Sequence, residues 1–225
     1  MVTLHQQLIA QSIDILAGLI LVTSFLIVSS RSLLFYVRLF ALQSFALAGV
    51  ALLVAFGYGE AHILTAAVLT VVVKGIVIPV VLRRLIETIR AAKEIDFSIN
   101  ITVSLLICGG LVILADSVAQ PILDIQQKTA SVVSRALPLS IAVFLIGLFI
   151  MITRKQALTQ IVGLLTMENG LFLSGLSITY GMPLIVEVGI FFDILVAALI
   201  LGVFVFRINK TFETISIDTL RSLRH

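Results

Sequence analysis

Long apolar runs separated by short polar segments make up most of the chain, from near its first residue to about residue 206. A membrane-spanning helix needs ~20 consecutive, mostly apolar residues. The runs of about this length are 6–29, 33–57, 61–82, 99–119, 137–153, 156–180 and 182–206, of which the fifth is short. Most connections are tight, which favours antiparallel neighbouring helices. The pattern predicts an all-α integral membrane protein with seven transmembrane helices.

Composition supports a membrane location. The chain has 225 residues, of which 60% are hydrophobic and 12% charged, and its mean hydropathy is +1.21. A soluble domain carries about 25% charged residues. Three scattered histidines, a lone cysteine (Cys108), and the lack of a P-loop or GxGxxG motif give no pattern for a cofactor, a metal or a nucleotide. We expect no cofactor in this chain and no nucleic-acid partner.

Two connections are longer than the others. Residues 83–98 read as an amphipathic surface segment, and residues 116–136 read as a loop that contains polar residues and Pro121. The first span has no basic leader and no A-x-A site, so we expect it to be retained as a helix.

The distribution of basic residues predicts the orientation. Of the fifteen basic residues, twelve lie in segments that seven spans would bring to one side, two (Lys128 and Arg135) lie on the other, and Lys74 lies within a span. The twelve are Arg31, Arg38, Arg83, Arg84, Arg90, Lys93, Arg154, Lys155, Arg207, Lys210, Arg221 and Arg224. Cytoplasmic loops carry the excess of Lys and Arg. We therefore expect the N-terminus outside and the C-terminus in the cytoplasm.

A faint internal repeat relates the two ends of the chain. Arg31 and Arg154 are 123 residues apart, and two Tyr-Gly pairs, at 58–59 and 180–181, are 122 apart. The repeat predicts tandem three-helix units joined by a connector helix. The predicted divisions are 1–98 (three helices and the amphipathic segment), 99–136 (connector helix and external loop) and 137–225 (three helices and a cytoplasmic tail).

A small set of polar residues lies inside the predicted spans: Gln43, Lys74, Glu168, Glu187 and Asp193. A charge at mid-membrane costs at least ~2.5–3.5 kcal/mol on insertion scales, and such residues usually face protein or water. At ~1.5 Å per residue, Lys74, Glu168 and Asp193 each lie ~17–20 Å from the start of their span, so they share one depth. Glu187 lies nearer the outer end.

These residues are candidates for proton transfer. A buried carboxylate near a positive charge can load and release a proton, and Lys74 would act as a movable counter-charge. Each also has a structural alternative. Lys74 could form an ion pair with Asp193, and Glu168 could be a protonated carboxyl bonded to a neighbouring helix. Glu187 could make a polar contact at the outer end of its span, and Gln43 could form an interhelical hydrogen bond.

Other residues have predicted packing or anchoring roles. Pro79 is expected to kink the third span. Small residues in the sixth span allow close helix approach: Gly163, Gly170, Ser174 and Gly175. Basic residues at span ends are expected to anchor the interface: Arg31, Arg38, Arg154 and Lys155.

The motifs resemble a known family. From about Phe144 to the end, RKQALTQIVGLLTMENG, then FFDILVAAL and the tail ISIDTLRSLR resemble the K subunit of complex I and its relative in multisubunit cation/proton antiporters. Along the whole length, FALQS, VVVKGIVIP, LTMENG and LIVEVGIFFDILVA resemble hydrogenase-4 component E of formate hydrogenlyase-type membrane hydrogenases.

The resemblance implies a non-catalytic proton-translocating subunit in the inner membrane of a prokaryote. Its partners would be antiporter-like membrane subunits and a peripheral redox arm, which would hold the Fe–S clusters and a nickel–iron centre. Glu168 and Asp193 match the two acids of the K subunit, with two departures. In the K subunit the first acid directly follows a Gly-Leu pair, whereas here Leu165 occupies that position and Glu168 lies three residues later. The second acid is Asp193 where the K subunit has a glutamate. The alternatives are a cation/proton antiporter subunit and a structural membrane scaffold.

Overall fold

A computed structural model describes residues 2–58, 61–88, 99–126 and 136–179, and these residues contain helices and no β-strands. The elements are α1 (Val2–Ser29), α2 (Leu33–Tyr58), α3 (Ala61–Leu69), a π-helical segment (Thr70–Val77), α4 (Ile78–Thr88), α5 (Ile101–Gln126), α6 (Ala136–Thr153) and α7 (Ala157–Thr179). The predicted all-α class is confirmed for this part of the chain.

Six stretches within the described ranges are long and apolar enough to cross a membrane, and they correspond to the first six predicted spans. α3, the π-helical segment and α4 follow one another without a break and form one of these spans. The seventh predicted span, 182–206, lies outside the described residues, and so do Glu187 and Asp193.

Two helices continue into segments that were predicted to be connections. α4 continues through residues 83–88, where Leu85 and Ile86 are buried and Arg83 and Arg84 exposed, so this part of the segment is amphipathic as expected. α5 continues to Gln126, and Pro121 lies within it.

The prediction of a loop beginning at residue 116 was therefore wrong. The polar side chains bond within their own helix: Ser117 Oγ donates to Ile113 O over 3.0 Å, and Gln120 Nε2 donates to Asp116 Oδ1 over 3.4 Å. The fixed φ of proline is compatible with a helix, and membrane helices tolerate the loss of its N–H donor because neighbouring groups compensate.

α6 and α7 form a closely packed hairpin. A Cβ atom at Gly170 would lie 2.4 Å from Phe144 N, and one at Gly147 would lie 2.4 Å from Met167 N. Gly163 also lies against the backbone of Met151, and Ser174 Oγ is 2.7 Å from Ser140 Oγ. The expected close approach through Gly163, Gly170 and Ser174 is confirmed, and Gly147 adds a position on the facing helix.

The turn between α6 and α7 lies beside the C-terminal end of α1. Arg154 is only 2% exposed, and its Nη2 donates to Val28 O over 2.7 Å. The expectation that Arg154 anchors the membrane interface was wrong. Since the last carbonyls of a helix have no partner within the helix and carry a partial negative charge, a buried guanidinium stabilises the end of α1.

Candidate functional site

Two apolar clusters divide the helix bundle along its axis. The first cluster contains Ile27, Phe40, Leu82 and Leu165, among other residues. The second cluster contains Ile20, Leu47, Ala67, Leu173 and others. On four spans, buried polar residues fall between the two clusters: Ser24 on α1, Gln43 on α2, Lys74 on the π-helical segment, and Glu168 and Asn169 on α7. We call these five residues the polar layer.

An ion pair lies at the centre of the polar layer. Lys74 Nζ is 2.8 Å from Glu168 Oε1, and the two residues are 1% and 3% exposed. Lys74 Nζ also lies 5.8 Å from the centroid of the Phe172 ring, within the range of a cation–π contact. Because Phe172 is one helical turn beyond Glu168 on α7, both residues face the same lysine.

A chain of hydrogen bonds connects the lysine to α1. Lys74 Nζ donates to Asn169 Oδ1 over 3.4 Å, and Asn169 Nδ2 donates to Gln43 Oε1 over 3.1 Å. Gln43 Nε2 donates to Ser24 Oγ over 2.8 Å, and Ser24 Oγ donates to Ile20 O over 2.9 Å. Every donor in this chain points away from the lysine. The chain therefore presents its acceptor end to the Lys74 ammonium and stabilises its charge.

The π-helical segment carries Lys74 to this position. Ile78 N–H donates to Val73 O, five residues back, so this turn is wider than an α-helical turn. Pro79 follows directly, and its ring would clash with the carbonyl of Gly75 in a regular α-helix. A wider turn relieves that clash. π-Helical turns are common at functional sites.

The structure brings together three of the five predicted site residues: Gln43, Lys74 and Glu168. The prediction that Lys74 and Glu168 share one depth is confirmed by their ion pair. The alternative predicted for Gln43, an interhelical hydrogen bond, is also confirmed by its bonds to Ser24 and Asn169. The partner offered for Lys74 was Asp193, whereas the described part of the chain places Glu168 there.

Sequence reasoning missed the role of Ser24. The Thr23–Ser24 pair interrupts the second half of the first apolar run, and this signal was available. Asn169 follows Glu168 directly in the sequence, but its bonds to Lys74 and Gln43 depend on how α7 is rotated. Within the described ranges, no group of three or more His, Cys, Asp or Glu side chains could hold a metal ion.

Within the described ranges, six apolar spans and a lysine–glutamate pair buried among them define a multi-pass membrane protein with an ion pair inside its helix bundle. The uncharacterized protein Rv0085 of Mycobacterium tuberculosis is 35% identical over 213 residues, which cover 94% of this chain and 96% of that protein. The chain belongs to the same family as this protein.

A second group of relatives matches almost the same length. Hydrogenase-4 component E of Escherichia coli K12 and that of Shigella flexneri are each 24% identical over 209 residues, 93% of this chain and 95% of theirs. The family model for NADH-ubiquinone/plastoquinone oxidoreductase chain 4L matches residues 136–225. The predicted resemblance to hydrogenase-4 component E, with a C-terminal part similar to complex I subunit K, is confirmed. No solved structure matches the chain.

Proposed function

We propose that this chain is a non-catalytic membrane subunit of a complex I-like respiratory complex and contributes its intramembrane polar layer to proton translocation. Two similarities support the assignment to such a complex. Nearly the whole chain is similar to component E of a hydrogenase, and its C-terminal part matches the family model for chain 4L of the NADH oxidoreductases. A membrane-bound hydrogenase of the formate hydrogenlyase type is the complex we favour.

The buried ion pair carries the proposal for proton transfer. Glu168 lies on α7 and Lys74 on a span distant in sequence, and both are held at one depth between two apolar clusters. Those clusters oppose proton movement along the bundle axis, so a proton reaching Glu168 would leave sideways, within the plane of the membrane. Protonation of Glu168 would weaken its attraction for Lys74, while the contacts of the ammonium with Asn169 and Phe172 would remain.

The remaining elements of the mechanism follow from the sequence. We propose that Asp193, and less directly Glu187, continue the line of acids beyond Glu168 on a seventh span. The N-terminus would lie outside and the C-terminus in the cytoplasm, with tandem three-helix units at 1–98 and 137–225 joined by residues 99–136. Antiporter-like subunits would receive the proton laterally. A peripheral arm with Fe–S clusters and a nickel–iron centre would perform the redox reaction.

Replacing Glu168 by glutamine tests the proposal. In inverted membrane vesicles from the native host, we offer hydrogen, formate or NADH and follow acidification with a pH-sensitive dye. Glu168→Gln should abolish acidification while donor oxidation and the subunit composition of the purified complex are retained. Glu168→Asp should restore part of the acidification because it keeps a titratable carboxyl.

Asp116→Asn is the matched control, since it makes the same chemical change at an exposed site on α5, outside the polar layer. Acidification at the wild-type rate in Glu168→Gln would refute a proton-transfer role. Proton movement that follows an imposed sodium gradient and needs no electron donor would favour the antiporter alternative.

A further inference from the structure

A groove with an apolar floor and a basic end lies on the surface between α2 and the π-helical segment with α4. On α2 it is lined by Leu34, Val37 and Ala41, and on the other span by Gly75, Ile76 and Pro79. Its volume is about 270 Å³. These positions recur at helical spacing on both spans, so the groove follows the helix axes into the depth of the membrane.

Two arginines line the same groove. Arg38 lies in the second turn of α2, and Arg83 lies just over one turn before the end of α4. Because the two spans run in opposite directions, both arginines lie at the same end of the groove. Arg83 is eight residues from Gly75, so the groove extends ~12 Å from its basic end to the level beside Lys74.

Among the residues that the structure describes, the charges around the basic end sum to a positive value. Arg83 Nε lies 3.1 Å from Glu87 Oε1 in an exposed i,i+4 pair, and Arg38 and the neighbouring Arg84 are exposed cations. Guanidinium groups recognise phosphate oxygens with paired hydrogen bonds. Basic pockets between membrane helices on the cytoplasmic side bind anionic lipid head groups.

We propose that this groove binds an anionic phospholipid. The phosphate lies between Arg38 and Arg83, and one acyl chain runs along Val37, Ala41 and Ile76 towards Gly75. A partner helix would insert apolar side chains into the groove and leave the two arginines without an anionic partner. A free phosphate ion would use the arginines and leave the apolar floor without a role.

Native mass spectrometry of the full-length chain, delipidated in a mild detergent and titrated with phosphatidylglycerol, tests the proposal. The double variant Arg38→Gln/Arg83→Gln should weaken phosphatidylglycerol binding ~30-fold, since each basic residue contributes about a fivefold factor to head-group attraction. Arg31→Gln/Lys155→Gln removes the same charge from exposed positions in the turns after α1 and α6, outside the groove lining, and should change binding far less.

A second variant distinguishes binding of the whole lipid from binding of its phosphate alone. Ala41→Phe fills the groove and keeps both arginines, so it should weaken phosphatidylglycerol binding and leave the binding of inorganic phosphate unchanged. Equal losses in the two double variants would overturn the proposal. So would binding of phosphatidylcholine as tightly as phosphatidylglycerol, or phosphatidylglycerol binding that Ala41→Phe leaves unchanged.

Discussion

At the residue scale, Lys74 and Glu168 depend on each other. Each is costly to insert alone, and their contact of 2.8 Å offsets part of that cost for both. The amides of Asn169 and Gln43 donate in the same direction, towards α1, and they bond to residues of other spans. An amide does not exchange its proton readily, so the chain positions the lysine and does not extend the proton path towards α1.

Replacing one member of the ion pair should destabilise the chain far more than replacing both. Lys74→Met leaves a buried carboxylate and should reduce the free energy of unfolding by about 3–5 kcal/mol. Lys74→Met/Glu168→Leu removes both charges at similar volume and should regain most of that loss. Unfolding of the full chain by SDS titration in mixed micelles measures both.

The double variant also tests the scaffold alternative. If the pair only holds helices together, a complex that contains the stable double variant would acidify vesicles normally. We expect such a complex to assemble and fail to acidify. If the double variant is as unstable as Lys74→Met, the loss of stability does not come from leaving Glu168 without its counter-charge.

At the element scale, close packing of α6 on α7 sets the position of Glu168 and Asn169. Gly147 and Gly170 lie against the backbone of the opposite helix, and neither has room for a methyl group. The π-helical segment sets the other half of the site, because the wider turn ending before Pro79 determines which way Lys74 points. Two local backbone features thus bring the charged groups together.

Gly170→Ala tests the first of these features. The added methyl group would lie 2.4 Å from Phe144 N, so the helices must separate. We expect the free energy of unfolding to fall by about 1–3 kcal/mol. The ion pair should also loosen, which would slow vesicle acidification.

Gly109→Ala on α5 is the control, because a Cβ atom there meets nothing within 4 Å. Replacing a helical glycine without a clash should leave stability unchanged or raise it by about 0.5–1 kcal/mol. If both variants have the same stability, close packing does not position the site.

At the scale of the whole molecule, two helical hairpins have their turns at the same face. The bond from Arg154 to Val28 O joins the turn between α6 and α7 to the end of α1. α2 and α7 therefore run in the same direction, and they meet at Gln43 and Asn169, 126 residues apart. This arrangement agrees with the predicted repeat, which remains a prediction.

Cysteine labelling tests the orientation of these hairpins. In a Cys108→Ser background, Ser32→Cys and Lys155→Cys should react with a membrane-impermeant maleimide in inverted vesicles and stay unlabelled in intact cells. Both residues are exposed in the turns after α1 and α6. Glu60→Cys, between the second and third spans, should give the opposite pattern.

Labelling of Ser32→Cys and Lys155→Cys from different sides would contradict the shared face of the two turns. Labelling of both from outside would reverse the predicted orientation and leave the hairpin arrangement intact. The two outcomes therefore separate the fold from its direction in the membrane.

The sequence by itself determined the membrane class, the first six spans and the common depth of Lys74 and Glu168. The physical reason is that the bilayer limits span length and the helix has a constant rise, so position along a span converts directly into depth. The same reasoning failed for α5, because Pro121 and its polar neighbours are compatible with a helix whose side chains bond within it.

Only the tertiary structure decided which residues meet. The pairing of Lys74 with Glu168, the bonds of Asn169 to Lys74 and Gln43, and the burial of Arg154 depend on how each helix is rotated about its axis. Apolar residues surround these helices on every side, so the hydrophobic pattern gives little information about rotation. Close glycine contacts and one wide turn set it instead, and neither is visible as periodicity in the chain.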